Sequence, residues 1–353
     1  MDYCGLDVPG VSSYVYVANE KRRKLTCGAV DTTKEALERR LRPFVRGGLS
    51  VAIEAGNQTA WIYEVLVGMG AKVTVVNPAK VKAIAESRRK TDKPVLSREG
   101  IDARILCELL RLDAMPHAVH MPGRETRALR GLLVARRQLV SMRTKLSNVV
   151  RGMLQQEGIR LPAKALSSFA GWRRLLARGY EQAHLPVVLV TFFDSFVSLT
   201  DSIRDLEKQL AESERKDERV ARLKTMPKVG RIAALTFVAA VDDVHRFPSS
   251  RKLVGHSGLA PTVRSSGERT EYGPISREGR RELRAVWVQI TRLVAIDTSR
   301  ATQPLRTWFN RVARKRGQKT ALVALARRLL VIAYRLLKDE TVYDAARLKR
   351  KAA

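Results

Sequence analysis

Over the first hundred residues the apolar positions alternate with period two or run unbroken, and turn residues separate the runs. Tyr3–Val8 (YCGLDV) and Ser13–Ala18 (SYVYVA) read as strands joined at Pro9-Gly10, with Lys24–Val30 as a third. Leu49–Glu54 (LSVAIE) is a nearly continuous apolar run of the kind buried on both faces. Trp61–Met69 then reads as a helix, Lys72–Val76 (KVTVV) as another buried strand, and Pro78 stands where a helix tolerates proline, at its start. A meander followed by strands alternating with helices predicts a mixed α/β sheet.

The period then lengthens. From Arg124 to Gln156 apolar residues recur at helical spacing (Leu129, Leu132, Leu133, Val140, Val150 among them), and Gly158 and Pro162 end the run. The interleaved arginines and lysines are expected to face outward. A second long helix is expected from about Asp194 to Lys224, with Phe196, Leu199, Ile203, Leu206 and Leu210 on a heptad-like seam. That seam suits either an internal helical hairpin or a coiled-coil contact between copies of the chain. Trp172 and Phe169 are expected to pack between these helices.

In the last third, Met226-Pro227-Lys228-Val229-Gly230 precedes the apolar run RIAALTFVAAV and reads as the turn and second helix of a helix-hairpin-helix. Such a turn aims backbone N–H groups at a phosphate, which makes Lys228 and Gly230 candidate contacts. Phe247–Leu253 supplies a short capped helix. Val254–Arg284 is rich in Gly and Pro and is expected to be irregular, with Ser265 and Ser266 on a turn between Arg264 and Gly267. Beyond Trp287 the chain is helical again. The domains read as 1–158, an α/β unit running into a long helix; 159–222, a helical or coiled-coil region; and 223–353, a mostly α unit.

Charge changes this picture most. Lys and Arg number 66 against 35 Asp and Glu, a net of +31, and the basic clusters are spread along the chain. A surplus of that size repels itself unless a polyanion neutralises it, and nucleic acid is the expected one. The densest cluster, Arg311–Lys319, makes Arg314, Lys315 and Arg316 candidates for backbone contact. The longest apolar run, Leu185–Phe193, falls short of a bilayer span, so no membrane role is expected. Cys4, Cys27 and Cys107 form no CxxC pair, which fits a reducing compartment. The first twenty residues lack an export signal, and a cytoplasmic protein is expected.

Acids fall at particular places in the strand pattern: Asp7 in the first strand, Glu54 ending the fourth, Asp92 and Asp102 in or beside the segment after the fifth. Each alone could be a solvated strand end. Gathered at neighbouring buried strand ends, carboxylates repel one another unless a hard cation neutralises them. Metal ions held between acids are a known arrangement for phosphodiester chemistry.

The segments Gly5-Leu6-Asp7-Val8, Ala52-Ile53-Glu54-Ala55-Gly56, Val76-Asn77-Pro78, Lys90-Thr91-Asp92-Lys93 and Asp102-Ala103 resemble the RuvC-type, RNase H-like domain of the DEDD insertion-sequence transposases. These belong to the IS-one-ten family, which includes the bridge-RNA-guided recombinases. The order MPKVG, RFPSSRKLVGHSGLAP, RSSG and ISREGRRELR is similar to that family's second domain. The resemblance implies a transposase that cleaves and rejoins DNA in a bacterial or archaeal cell, close to the nucleoid. It further implies metal binding, as Mg²⁺, by Asp7, Glu54, Asp92 and Asp102, and a phosphoserine link through Ser266, with Ser265 as the alternative. Arg264 and Arg269 would steady the phosphate, a structured guide RNA would pair with donor and target DNA, and the chain would form dimers or tetramers.

One departure stands out. The family pattern has its last two aspartates three residues apart, whereas ten positions separate Asp92 from Asp102, as though Pro94–Gly100 were inserted. On one unbroken helix, ten residues rise about 15 Å, too far for one metal cluster. Either the extra segment loops out, or Glu99 takes the third acid's place. Two other classes fit parts of the pattern: a metal-dependent RNase H-type junction nuclease with structural serines, and an inactive nucleic-acid-binding relative.

Overall fold

The computed structural model describes residues 1–88, 100–178, 184–266 and 269–346. The chain divides into two compact units, Met1–Pro122 and Gly123–Ala353. This boundary falls before the long helix at Arg124, whereas the sequence reading ran the first domain through that helix to Gly158.

In the first unit the elements run β1 (Asp2–Asp7), β2 (Ser12–Asn19), β3 (Lys24–Asp31), α1 (Lys34–Val45), β4 (Leu49–Glu54), α2 (Thr59–Gly68), β5 (Lys72–Val76), α3 (Pro78–Arg88) and α4 (Ile101–Arg111). The sheet order is β3-β2-β1-β4-β5. The meander strands are antiparallel, and β1, β4 and β5 are mutually parallel, which is the mixed α/β sheet expected. Helix α1 is an element the sequence reading did not foresee. Its N-cap is Thr33, whose hydroxyl accepts from the Ala36 amide, and only Leu37 and Leu41 are fully buried along it.

Side chains alternate across a strand, so each strand feeds two cores. Cys4, Leu6, Val51, Ile53 and Val75 pack with Leu37, Leu41, Ile62 and Leu66 of α1 and α2 on one face. Ala52 and Val76 pack with Val81, Leu106 and Leu109 of α3 and α4 on the other. Gly5 belongs to this second face, where a Cβ on it would lie 1.8 Å from the Ala103 carbonyl oxygen and 2.7 Å from the Cys107 amide nitrogen. The Cys107 thiol donates to the Tyr3 carbonyl (3.2 Å) along the same seam. Helix α4 therefore lies on the backbone of β1, closer than any side chain at position 5 would permit.

The second unit holds α5 (Arg124–Gln156), α6 (Phe169–Leu176), α7 (His184–Arg215), α8 (Glu218–Lys224), α9 (Arg231–Val241), α10 (Ser250–His256), the strands β6 (Pro261–Ser266) and β7 (Arg269–Ile275), then α11 (Arg281–Ile296), α12 (Gln303–Arg316) and α13 (Gln318–Lys338). Helices α5 and α7 pair within the chain. Val150, Leu154, Leu166, Trp172, Leu175, Leu189 and Phe196 form the core between α5, α6 and α7. Trp172 is fully buried against Phe193 and Phe196, in the packing role expected of it. Along the heptad-like seam, Phe196, Ile203 and Leu210 are buried inside the unit. Helix α7 also carries an 18-residue window with a mean hydropathy of 1.4, so by length and composition it passes for a membrane span, beyond what the Leu185–Phe193 run suggested. Val187 and Val190 on it are exposed. The remaining core is built on α9, every residue of which from Ala233 to Val241 is buried; α5, α8 and α11 pack against it, and α13 packs in turn on α10 and α11.

Two expectations are corrected here. The stretch around Ser265 and Ser266 is not irregular but a β-hairpin, with Ser265 opposite Thr270 and Ser266 opposite Arg269. Nor do the arginines of α5 all face outward: Arg130 donates to the Ala239 carbonyl (2.6 Å), and Arg136 to the Glu207 carboxylate (2.8 and 2.6 Å).

Replacing Gly5 with Ala forces a methyl group into the Ala103 carbonyl and is expected to lower the stability of the first unit by about 3 kcal/mol. Gly131→Ala in α5, where a Cβ meets nothing within 4 Å, is expected to raise stability by about 0.5–1 kcal/mol. Denaturant titration of the two variants checks the contrast, and equal midpoints would show that α4 does not rest on β1 as described.

Candidate active site

The parallel register pairs Leu6 with Ile53, so the next residues on the two strands are Asp7 and Glu54. By the alternation of the pleat, Asp7 shares a face with Gly5, and Glu54 with Ala52, which is the face covered by α4. Asp102 lies in the first turn of α4, next to the Ala103 whose carbonyl abuts Gly5. The close approach at Gly5 thus brings a third carboxylate to the carboxyl ends of β1 and β4, where open α/β sheets place their ligands.

Local structure fixes each acid. The Thr59 hydroxyl donates to the Glu54 carbonyl (2.8 Å) and accepts from the Gly56 amide (2.7 Å), setting the chain's exit from β4. Gly100 has φ +83° and caps α4 in the left-handed region, and a Cβ there would strike the Tyr14 ring at 2.1 Å. The helix carrying Asp102 therefore starts at Ile101 and does not continue backward unbroken, which removes the 15 Å objection based on one continuous helix. Asp92 and Glu99, the alternatives for the further acid, lie outside the described residues.

The acids act on one another. Burial and then the Asp102 charge raise the carboxyl of Asp7 above the usual range. Burial, Asp102 and Asp7 do the same to Glu54. Three all-oxygen, mutually repelling donors suit a hard divalent cation. Among the described residues no three His, Cys, Asp or Glu side chains are already drawn together as a ligand group.

In the second unit the serines sit at the end of β6, and the exposed pair Val263 and Tyr272 faces across the hairpin. A lone two-stranded ribbon is only marginally stable, and this one is anchored at its base. The Ser276 amide donates to the Ala260 carbonyl (2.8 Å), Arg277 to Gly258 (3.2 Å) and Arg280 to His256 (2.9 Å). Gly258 (φ +70°) and Gly279 (φ +111°) cross there: a Cβ on Gly279 would lie 2.2 Å from the His256 carbonyl oxygen, and one on Gly258 2.4 Å from that of Glu278. Arg284 pins the crossing through the carbonyls of Ser257 and Arg277, both at 3.1 Å. Arg264 and Arg269 occupy ladder positions opposite Glu271 and Ser266.

His256 packs against the Phe247 ring, and its Nε2 lies 3.3 Å from both the Ala240 carbonyl oxygen and an Arg246 nitrogen. Burial and the Arg246 charge bring its pKa down to about 4, so at neutral pH it is an uncharged packing residue. Gly230 is the exposed N-cap of α9, and its helix has no side-chain cap. Lys228, at φ +64°, pairs its ammonium with Asp297 (3.1 Å). Arg314, Lys315 and Arg316 are exposed in the last turn of α12, where cations also complement the helix dipole. The sequence reading missed the half-buried arginines Arg130 and Arg246, whereas the half-buried Arg280 falls among the arginines that surround the serines in sequence. Arg130, Leu133, Arg137 and Val140 lie on one helical stripe, and that spacing was the available signal.

A sheet of this order with carboxylates at its parallel strand ends, followed by a mostly helical unit, is the architecture of a DEDD-type, RNase H-like transposase. The sequence pattern of the "Transposase IS116/IS110/IS902 family" matches residues 220–306, and the DEDD transposase pattern of the IS110 group matches residues 4–159. The chain belongs to this transposase family. It is similar to the transposase for insertion sequence element IS1111A of Coxiella burnetii, 28% identical over 296 residues, which cover 83% of this chain and 79% of that protein. A probable family 20 transposase of Pseudomonas aeruginosa is 29% identical, covering 83% and 85%. The transposase for insertion sequence element IS1328 of Yersinia enterocolitica is 27% identical, covering 78% and 80%.

Because the carboxyls of Asp7 and Glu54 are raised, the folded chain holds more protons than the unfolded one between the ordinary carboxylate range and their raised values. Stability therefore falls as pH rises through that window. In chelator at neutral pH, Asp7→Asn is expected to melt a few degrees above the unaltered protein. Millimolar Mg²⁺ or Mn²⁺ is expected to raise the melting temperature of the unaltered protein and not that of Asp7→Asn. A variant that melts lower in chelator, or responds equally to the cations, would show that the acids are not a strained ligand set.

Proposed function

We propose that the chain is a DNA recombinase that breaks and rejoins strands through a covalent phosphoserine at Ser266. The observation that carries this reading is the combination of Asp7, Glu54 and Asp102 at one end of an RNase H-like sheet with a serine pair at the end of an anchored hairpin in the family's second matched region. The Ser266 hydroxyl attacks a backbone phosphorus, the bond from phosphorus to the 3′ oxygen breaks, and the serine proton is accounted for on the departing 3′-hydroxyl. A new 3′-hydroxyl then attacks the phosphoserine and releases the serine. Each step exchanges one phosphodiester for another, so no outside energy source is required.

A free serine hydroxyl is a poor nucleophile and needs activation. His256 at the hairpin base is a poor candidate, since its pKa is brought down to about 4 and its Nε2 lies against the Ala240 carbonyl and Arg246. Asp7, Glu54 and Asp102, with Asp92 or Glu99, are proposed to hold Mg²⁺, which when bound would polarise the phosphate and lower the pKa of the attacking hydroxyl. Arg264 and Arg269 are proposed to steady the phosphate charge. Gly230 and the Arg314–Arg316 turn are proposed as DNA backbone contacts, and Lys228 joins them where DNA displaces its pairing with Asp297. Target choice is assigned to a structured guide RNA, in keeping with the +31 charge, and the exposed apolar positions of α7 support self-association into a dimer or tetramer.

The test is to trap the protein on labelled donor DNA with Mg²⁺ and map the modified residue. Ser266→Ala is expected to abolish the adduct and reduce strand exchange roughly 10³-fold or more, with Ser265→Ala retaining both. A Ser266→Ala protein that still cuts DNA, with no adduct from the unaltered chain, would make it a metal-dependent junction nuclease instead. Mapping to Ser265 would move the nucleophile by one residue.

A further inference from the structure

Between α5, α9 and α11 lies a cavity of about 350 Å³ lined by apolar side chains, including Leu133, Ile232 and Val286, together with Arg130, Arg280 and the Glu282 carboxylate. Most other charged groups around it are already engaged. Arg136 is bound to Glu207, Arg137 to the Glu282 carboxylate (3.0 Å), and Asp242 accepts from Thr126 (2.5 Å). Arg246 lies over the Phe247 ring and donates to the Val241 carbonyl (2.9 Å). The Arg280 guanidinium is different: it is half-buried and interacts with the Glu282 carboxylate through its charge, without a hydrogen bond or ion pair to any described residue.

Its position is nonetheless closely fixed. The Gly279 crossing and the bond from its own amide to the His256 carbonyl hold the Arg280 backbone, and it is the N-cap of the 16-residue helix α11, which has no side-chain cap. A long cation with a clamped backbone, whose nearby carboxylate, Glu282, is already ion-paired with Arg137, and a second guanidinium lining the same cavity leave room for a further anion. The two guanidiniums feel each other: burial and then the Arg280 charge bring Arg130 down to about 10. An anion placed between them would remove that repulsion, and guanidinium forks match phosphate oxygens bidentately.

We propose that Arg130 and Arg280 grip one backbone phosphate of duplex DNA in this cavity. The anion is a phosphodiester, because the cavity lies at the base of the serine hairpin in a chain of net charge +31. This rests on the reading above that the chain acts on DNA. It adds a positioning contact that the Arg264 and Arg269 assignments do not supply.

The experiment measures binding of a 30-base-pair duplex by fluorescence anisotropy across a salt series, using the full chain. Arg280→Gln is expected to weaken binding about 10-fold and to reduce the slope of log affinity against log salt by about one, the signature of one lost phosphate contact. Arg280→Lys should recover part of the affinity, because it keeps the charge and loses the fork. Arg204→Gln, which breaks an exposed ion pair on α7, serves as the control and should change neither quantity. A second arm adds inorganic phosphate at constant ionic strength. It is expected to raise the melting temperature of the unaltered chain by a few degrees and that of Arg280→Gln not at all.

If the unaltered chain binds DNA and Arg280→Gln binds it with the same affinity and salt slope, the proposal is overturned while the DNA reading stands. If the unaltered chain binds no DNA, the functional reading fails, and the phosphate arm alone decides whether the site exists. An identical response to phosphate in both proteins would then overturn it.

Discussion

The first unit depends on how closely α4 approaches the centre of its sheet. Gly5 is the one point on β1 where a helix backbone can come within contact of a strand backbone, because even a single Cβ would collide with the Ala103 carbonyl. Everything the site needs follows from that contact. Asp7 lies two residues on from Gly5 on the same face, Glu54 is its neighbour in the parallel register, and Asp102 adjoins the carbonyl that Gly5 admits. A larger residue at position 5 would lift α4 and take Asp102 away from the other two acids, even though it touches none of them.

The second unit uses the same device with charges of opposite sign. Gly258 and Gly279 cross so closely that neither could carry a side chain, and the crossing sets both the hairpin bearing the serines and the backbone of Arg280. In the first unit backbone proximity crowds carboxylates, and in the second it crowds guanidiniums. Neither arrangement stabilises the fold. Each is held by apolar packing nearby, the two faces of the sheet in one case and the buried helix α9 with Trp287 and Leu329 in the other. Like charges held together at a cost to stability are what a ligand of opposite charge can relieve, and that makes them more informative about function than the exposed basic runs.

Much of this was legible in the sequence, for identifiable reasons. The strands β1, β4 and β5 announce themselves because strands buried on both faces must be continuously apolar, and their terminal acids interrupt that pattern visibly. Helix α1 has a pattern that the reading passed over: Leu37, Leu41, Phe44 and Val45 recur at helical spacing behind the Thr33 cap, with Pro43 in the last turn as the one residue that argues against a helix. The hairpin was misread because Pro261, Gly267, Gly273 and Pro274 suggest irregular chain. Pro261 opens β6, however, and Gly273 is required where a Cβ would lie 2.4 Å from the Thr262 hydroxyl. Arg280 stands in the sequence as one of several arginines around the serines, and only the packing of α5 and α9 sets it apart by placing it on one cavity with Arg130.

The ten-residue spacing between Asp92 and Asp102 shows most plainly how a sequence distance misleads. It seemed prohibitive only when measured along a helix axis, at 1.5 Å of rise per residue. Gly100 cancels that measure, because a residue at φ +83° seated on the Tyr14 ring cannot be passed through by a continuing right-handed helix. The position of Asp102 is thus set from the other direction, by Gly5 and Ala103, and owes nothing to the length of the chain that precedes it. The helix that carries Asp102 is registered against the sheet through Gly5 and Ala103, and not against the helix before it.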